Sequence, residues 1–131
     1  MADKLHYALV SPERMLAEGE ADMVVIPGMN GDFAAMPDHA PFLTTLRPGV
    51  VTVTDGSDTS TYFVTGGFAE ISASGASILA EESLPRADAT REWLDEKIVA
   101  AETALADAAE DGKPAASQRL DDLKSAADML A

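Results

Sequence analysis

The sequence predicts an α+β protein, an N-terminal antiparallel β-sandwich followed by a C-terminal antiparallel helical hairpin. Three observations carry that expectation. In the first part, short β-branched and aromatic runs are separated by turn residues roughly every 8–12 residues, the pattern of a sandwich or barrel. Near Pro85 the composition changes to alanine and charge. Beyond it, apolar residues recur at alternating spacings of four and three, as on one stripe of a helix. The expected division is a β-sandwich over residues 1–86 and a hairpin over 87–131.

In chain order, residues 5–10 (Leu-His-Tyr-Ala-Leu-Val) read as a strand that stops at Ser11-Pro12. Residues 23–26 read as another, stopped by Pro27-Gly28. Residues 50–54 enter a turn at Asp55-Gly56-Ser57-Asp58 and return as 61–65, because Asp-Gly supplies positive φ at low cost. Residues 68–72, a Ser74-Gly75 turn and residues 77–80 predict a second hairpin. No long helical pattern interrupts these strands, so an alternating βαβ sheet is disfavoured.

For the tail, Asp88 reads as the N-cap of a first helix whose seam is Leu94, Ile98, Ala101, Leu105 and Ala108. Asp111-Gly112-Lys113-Pro114 reads as its stop signal. A second seam follows at Ala116, Leu120, Leu123, Ala127 and Leu130. Alanine lets the helices approach closely but buries little area, so the hairpin alone should be marginal and should want a surface to dock on.

Composition narrows the function. With 47% hydrophobic residues in 131, a real core is affordable. The 23 acids against 9 bases, a net charge of −14, exclude a nucleic-acid binder and disfavour attraction to anionic lipid. No apolar stretch is long enough to insert in a bilayer. The start lacks the basic flank and apolar run of a signal peptide. The absence of cysteine removes disulfides, thiolate chemistry and cysteine-held metals.

Reaction chemistry finds no foothold either. His6 and His39 have no His-x-x-x-His or carboxylate-bearing metal pattern around them. No Gly-x-Ser-x-Gly accompanies the Asp38-His39 pair. Gly28-Met29-Asn30-Gly31 and Gly66-Gly67 lack the lysine of a phosphate-cradling loop and read as turns. Glu81-Glu82 and Asp121-Asp122 are adjacent, hence solvated surface rather than a pair facing a substrate. No metal, and no cofactor required for activity, is expected.

One block is distinctive as a whole. Residues 22–28 (Asp-Met-Val-Val-Ile-Pro-Gly) lead to Gly31-Asp32-Phe33, then to Pro37-Asp38-His39-Ala40-Pro41-Phe42-Leu43-Thr44 and Leu46-Arg47-Pro48-Gly49-Val50. Residues 64–71, around Gly66-Gly67-Phe68, and residues 78–81 complete the frame. In order and spacing this resembles the epsilon subunit of bacterial F-type ATP synthases, the delta subunit of mitochondria, over nearly the whole chain.

The resemblance implies a β-sandwich plus helical hairpin and a non-catalytic rotor component of the central stalk. It implies binding to the gamma subunit and the c-ring, so that proton-driven rotation reaches the catalytic head. It also implies a peripheral position on the cytoplasmic face of the bacterial inner membrane, without lipid insertion. Carried over residue by residue, Gly31, Asp32 and Phe33 match the acidic loop that faces the c-ring, and His39 and Pro41 lie in the segment near gamma and the ring. Where the family has glycine and two aliphatics after the aromatic, this chain has Ala34-Ala35-Met36.

In family members whose hairpin binds ATP, an Ile/Leu-Asp-x-x-Arg-Ala motif opens the tail. Here Asp88 and Arg91 remain while their neighbours differ, leaving ATP as a regulatory ligand that those two residues would contact. Inhibitory tails extend toward the alpha and beta subunits, their basic residues meeting an acidic loop of beta. From Asp88 onward this tail has eleven acids and five bases, so weak self-inhibition is expected. The competing expectations are a stand-alone β-sandwich binding module with a helical interaction tail, opposed by few aromatics, and a small hydrolase, opposed by the missing nucleophile–base pair.

Overall fold

The β-branched runs become strands because their alternate side chains find a common interior. In a computed structural model describing residues 4–12, 14–38 and 40–130, ten strands precede two α-helices among those residues. They are β1 (Leu5–Ser11), β2 (Arg14–Ala21), β3 (Met23–Gly28), β4 (Gly31–Ala35), β5 (Phe42–Leu46), β6 (Gly49–Asp55), β7 (Asp58–Val64), β8 (Gly67–Ile71), β9 (Gly75–Ala80) and β10 (Ser83–Pro85). The helices are α1 (Arg91–Asp107) and α2 (Lys113–Leu130). The fold class is the expected one.

Pairing runs in two series. One is β10-β7-β6-β3, with β4 on the opposite edge of β3; the other is β5-β8-β9-β1-β2. They join where Gly28 of β3 pairs with Leu46 of β5. Every ladder is antiparallel except one, which departs from the expectation: β1 runs parallel to β9, His6 beside Gly75 through Val10 beside Leu79. Such a pairing needs a long connection, and the chain between the two strands supplies it.

Alternation places Val24, Ile26, Val51, Val53, Ala69, Ile71, Ile78, Leu5 and Leu9 in one buried cluster, with Tyr7, Leu16, Phe33 and Tyr62 packed at its margin. Each fully buried aliphatic side chain contributes about 1.5–3 kcal/mol relative to exposure. Ala35, opposite Val24, also enters this core, so the unusual Ala34-Ala35-Met36 stretch is accommodated with a small residue inward. Gly56 opens the two-residue β6–β7 loop at φ +63°, the left-handed geometry that Asp-Gly anticipates. At Gly67, φ is +124° and an added Cβ would lie 2.1 Å from the Leu79 carbonyl oxygen, so only glycine fits.

Four strands escape the sequence reading: β2, β4, β5 and β10. The fourth expected strand also begins earlier, at Asp58.

The described residues divide into two compact units, one ending at Arg86 and the other beginning at Ala87. In the second unit the N-cap of α1 is Thr90, not Asp88: the Trp93 backbone N–H donates to Thr90 Oγ1 at 3.2 Å. Asp88 instead ends a 3-10 turn at Arg86–Asp88. Helix α1 stops at Asp107, before the expected signal, and Lys113 Nζ donates to the Leu105 carbonyl oxygen near its end. Pro114 lies in the first turn of α2, where its missing N–H costs nothing, so it starts a helix rather than stopping one. Ala101, Leu120 and Leu123 form the buried seam, with Ile98 and Leu105 beside it. Ala116 is only half-buried, and the side chain of Leu130 lies outside the described residues.

Candidate functional site

The β3–β4 hairpin turns through Met29 and Asn30, with Gly28 opposite Gly31. Gly31 takes φ +128° and opens β4, so Asp32 and Phe33 belong to a strand rather than to an open loop. Asp32 points outward, 65% exposed, and Arg47 Nη2 donates to its Oδ1 at 2.6 Å. The other terminal nitrogen of Arg47 donates to the Gly28 carbonyl oxygen. Phe33 stacks on Phe42, with centroids 4.6 Å apart and planes at 16°. Since Pro41 directly precedes Phe42, that stack brings Pro41 to the same neighbourhood as Phe33. His39 lies outside the described residues. Of the other four residues expected at this surface, Gly31, Asp32 and Phe33 are consecutive in β4, and Pro41 precedes the ring on which Phe33 stacks.

A second feature runs across strands. In register, Thr45 of β5 faces Phe68 of β8, Phe68 faces Leu79 of β9, Leu79 lies beside Val10 of β1, and Val10 faces Met15 of β2. Paired residues share a sheet face, so Phe68, Leu79, Val10 and Met15 form one transverse apolar row. It is open: Phe68 is 47%, Leu79 40% and Met15 53% exposed. Leu43, two residues from Thr45 on the same face, extends it. The row adjoins the hairpin tip, because the Met29 N–H donates to the Thr45 carbonyl oxygen at 2.9 Å. Sequence reading missed the row and Arg47. Period-two patterning marks Phe68 and Leu79 as outward, and only register shows that they are neighbours.

Elsewhere, Arg91 Nε donates to Asp95 Oδ1 at 3.1 Å, one helical turn on, while the Asp88 carbonyl oxygen accepts from the Thr90 N–H. The two residues expected at a nucleotide are therefore near in sequence but engaged separately. Lys4 bridges Asp22 and Asp55, and the Gly56 N–H also donates to Asp22. Those bonds to the two carboxylates push the Lys4 ammonium up to about 12, and the Lys4 bond draws the Asp22 carboxyl below its ordinary value. Among the described residues no group of three His, Cys, Asp or Glu could hold a metal.

A pinned acidic hairpin, an aromatic stack and an exposed apolar row can bind another macromolecule by shape and desolvation. The class so defined is a β-sandwich with a helical pair, whose outward chemistry is that of contact surfaces.

Comparison with known proteins gives the family. Residues 4–86 match the family described as ATP synthase, Delta/Epsilon chain, beta-sandwich domain. The chain is 48% identical over 126 residues to the ATP synthase epsilon chain of Parvibaculum lavamentivorans, covering 95% of this chain and 96% of that one. It is 53% identical over 111 residues to the epsilon chain of Ruegeria sp., covering 85% and 81%. The chain belongs to the ATP synthase delta/epsilon family. Its fold also matches a chain in the Euglena gracilis mitochondrial ATP synthase, OSCP/F1/c-ring in rotational state 1, with a TM-score of 0.74, 18% identity and coverage of 98% and 82%. A chain of the Tetrahymena thermophila mitochondrial ATP synthase central stalk and c-ring matches at TM-score 0.55, 15% identity and coverage of 66% and 70%.

Proposed function

We propose that this chain is a non-catalytic rotor subunit of the proton-translocating F-type ATP synthase. In this reading it docks on gamma through the Phe68–Leu79–Val10–Met15 row and meets the c-ring through Gly31, Asp32 and Phe33, with His39 and Pro41 beside them. It works at the cytoplasmic face of the bacterial inner membrane, held there by the complex. No helix among the described residues is long and apolar enough to cross a bilayer. The observation that carries the reading is the exposed apolar row, since a contiguous apolar surface on a highly acidic protein favours a partner that covers it.

The helical pair has a lesser part. Its acidic excess weakens attraction to the acidic loop of beta that the resemblance implies, so inhibition through the alpha and beta subunits is slight. ATP at Asp88 and Arg91 would have to draw Arg91 from Asp95; calorimetric titration with ATP tests it, and heat lost in Arg91→Ala is the supporting result.

The direct test is stoichiometric binding of the purified chain to its gamma subunit. The Phe68→Ser, Leu79→Ser double variant is expected to lose about tenfold or more in affinity, as for truncation of anchor residues. Unchanged affinity in that variant, or no binding by the unaltered chain, refutes the reading.

A further inference from the structure

Arg47 occupies the corner between β5 and β6, and among the described residues its hydrogen bonds go to the β3–β4 hairpin. Its backbone N–H donates to the Pro27 carbonyl oxygen at 2.9 Å. Its guanidinium reaches the Gly28 carbonyl oxygen with one terminal nitrogen and Asp32 Oδ1 with the other, at 2.6 Å. The side chain is 27% exposed, against 65% for the carboxylate that it holds. A planar fork with fixed donors can satisfy two such acceptors at once, whereas an ammonium is a single movable point.

Two consequences follow for Asp32. One carboxylate oxygen is held, which fixes the orientation of the group. The other accepts no hydrogen bond among the described residues.

We infer that Arg47 is a positioning residue: it locks the hairpin tip to the junction of the two strand series and aims the free oxygen of Asp32 at a hydrogen-bond donor on the c-ring. The donor is a guanidinium, ammonium or amide group. This inference rests on the ring-docking reading above.

The experiment binds the full chain, complexed with gamma, to detergent-purified c-ring immobilised on a sensor surface. In Arg47→Gln, ring affinity is expected to fall about tenfold while affinity for gamma stays level. Amide hydrogen exchange at residues 29–32 should quicken in the same variant. Arg47→Lys should recover only part of the loss, since it keeps the charge without the fork. Adding Asp32→Ala to Arg47→Gln should cost little more, because the two act as one unit.

Undiminished ring binding by Arg47→Gln overturns the inference, and so does an equal loss of gamma and ring binding, which marks a general folding defect. Should the unaltered complex ignore the ring, the docking reading itself falls, an outcome distinct from either.

Discussion

The β unit and the helical pair are held together by different physics. In the β unit, residues far apart in sequence meet in ladders, and Val24, Ile26, Val51, Ile71 and Ile78 fill one interior. In the pair the buried cluster is small, Ala101, Leu120 and Leu123 with Ile98 and Leu105 beside them. Alanine contributes little buried area, so the pair should open at a lower free energy than the sheet unit. The contrast suits a protein that presents fixed contact surfaces from one part and a yielding arm from the other.

The sharpest way to break this contrast is at Gly67. With φ at +124° and an added Cβ only 2.1 Å from a backbone oxygen, Gly67→Val should cost about 3 kcal/mol or more and abolish cooperative β-unit unfolding in urea. A normal unfolding curve would show the ladder to be more pliant than described. Next comes Leu123→Ala, expected to cost about 2–3 kcal/mol and to melt the helices first. Circular dichroism at increasing temperature should then lose helix while sheet amides stay protected; simultaneous loss would join the two units into one cooperative block.

Asp38 sits at φ +64°, which an L side chain adopts at a cost. Asp38→Gly should therefore stabilise the β unit by about 0.5–1 kcal/mol, seen as a later urea midpoint. Removing residues 88–131 should change ATP hydrolysis by the reconstituted catalytic head less than about twofold, given the repulsion expected of an acidic arm. A several-fold rise would give the arm an inhibitory part.

The smallest effect concerns Lys4, Asp22 and Asp55, all solvent-facing. Asp22 titrates lower folded than unfolded, so its contribution is present above the unfolded carboxyl value and is lost as pH falls through the folded one. Lys4 titrates higher when folded, so its share is full below 10.5 and disappears as pH rises through about 12. Lys4→Gln should flatten both limbs of the stability–pH curve slightly, and salt should do the same.

What could be read from residues alone follows from range. Asp55-Gly56 and the β-branched runs around it act locally, so that hairpin was legible. Strand β2, with one glycine, two glutamates and two alanines among its eight residues, has weak strand preference and exists through its ladder with β1. Strand β4 has no β-branched residue and is organised by β3. Asp88 and Thr90 are both good caps, and only the position of Trp93 chooses between them. Gly112 and Pro114 were ambiguous because proline suits a first helical turn as well as a stop. At the candidate site, Asp32 and Phe33 were found by family likeness, whereas the apolar row and Arg47 depend mostly on partners distant in sequence, such as Phe68 with Leu79 and Val10 with Leu79.

The parallel ladder between β1 and β9 bears on how the molecule is made. A ribosome delivers β1 and β2 first, yet their place beside β9 does not exist until residues 75–80 have emerged. The earliest strands must wait, one edge bare, while most of the sheet is still being synthesised. Pairings that close such large loops are slow to form. The nascent chain therefore passes through an interval in which its own first hairpin is open to wrong partners, and that interval ends only once β9 has cleared the ribosome.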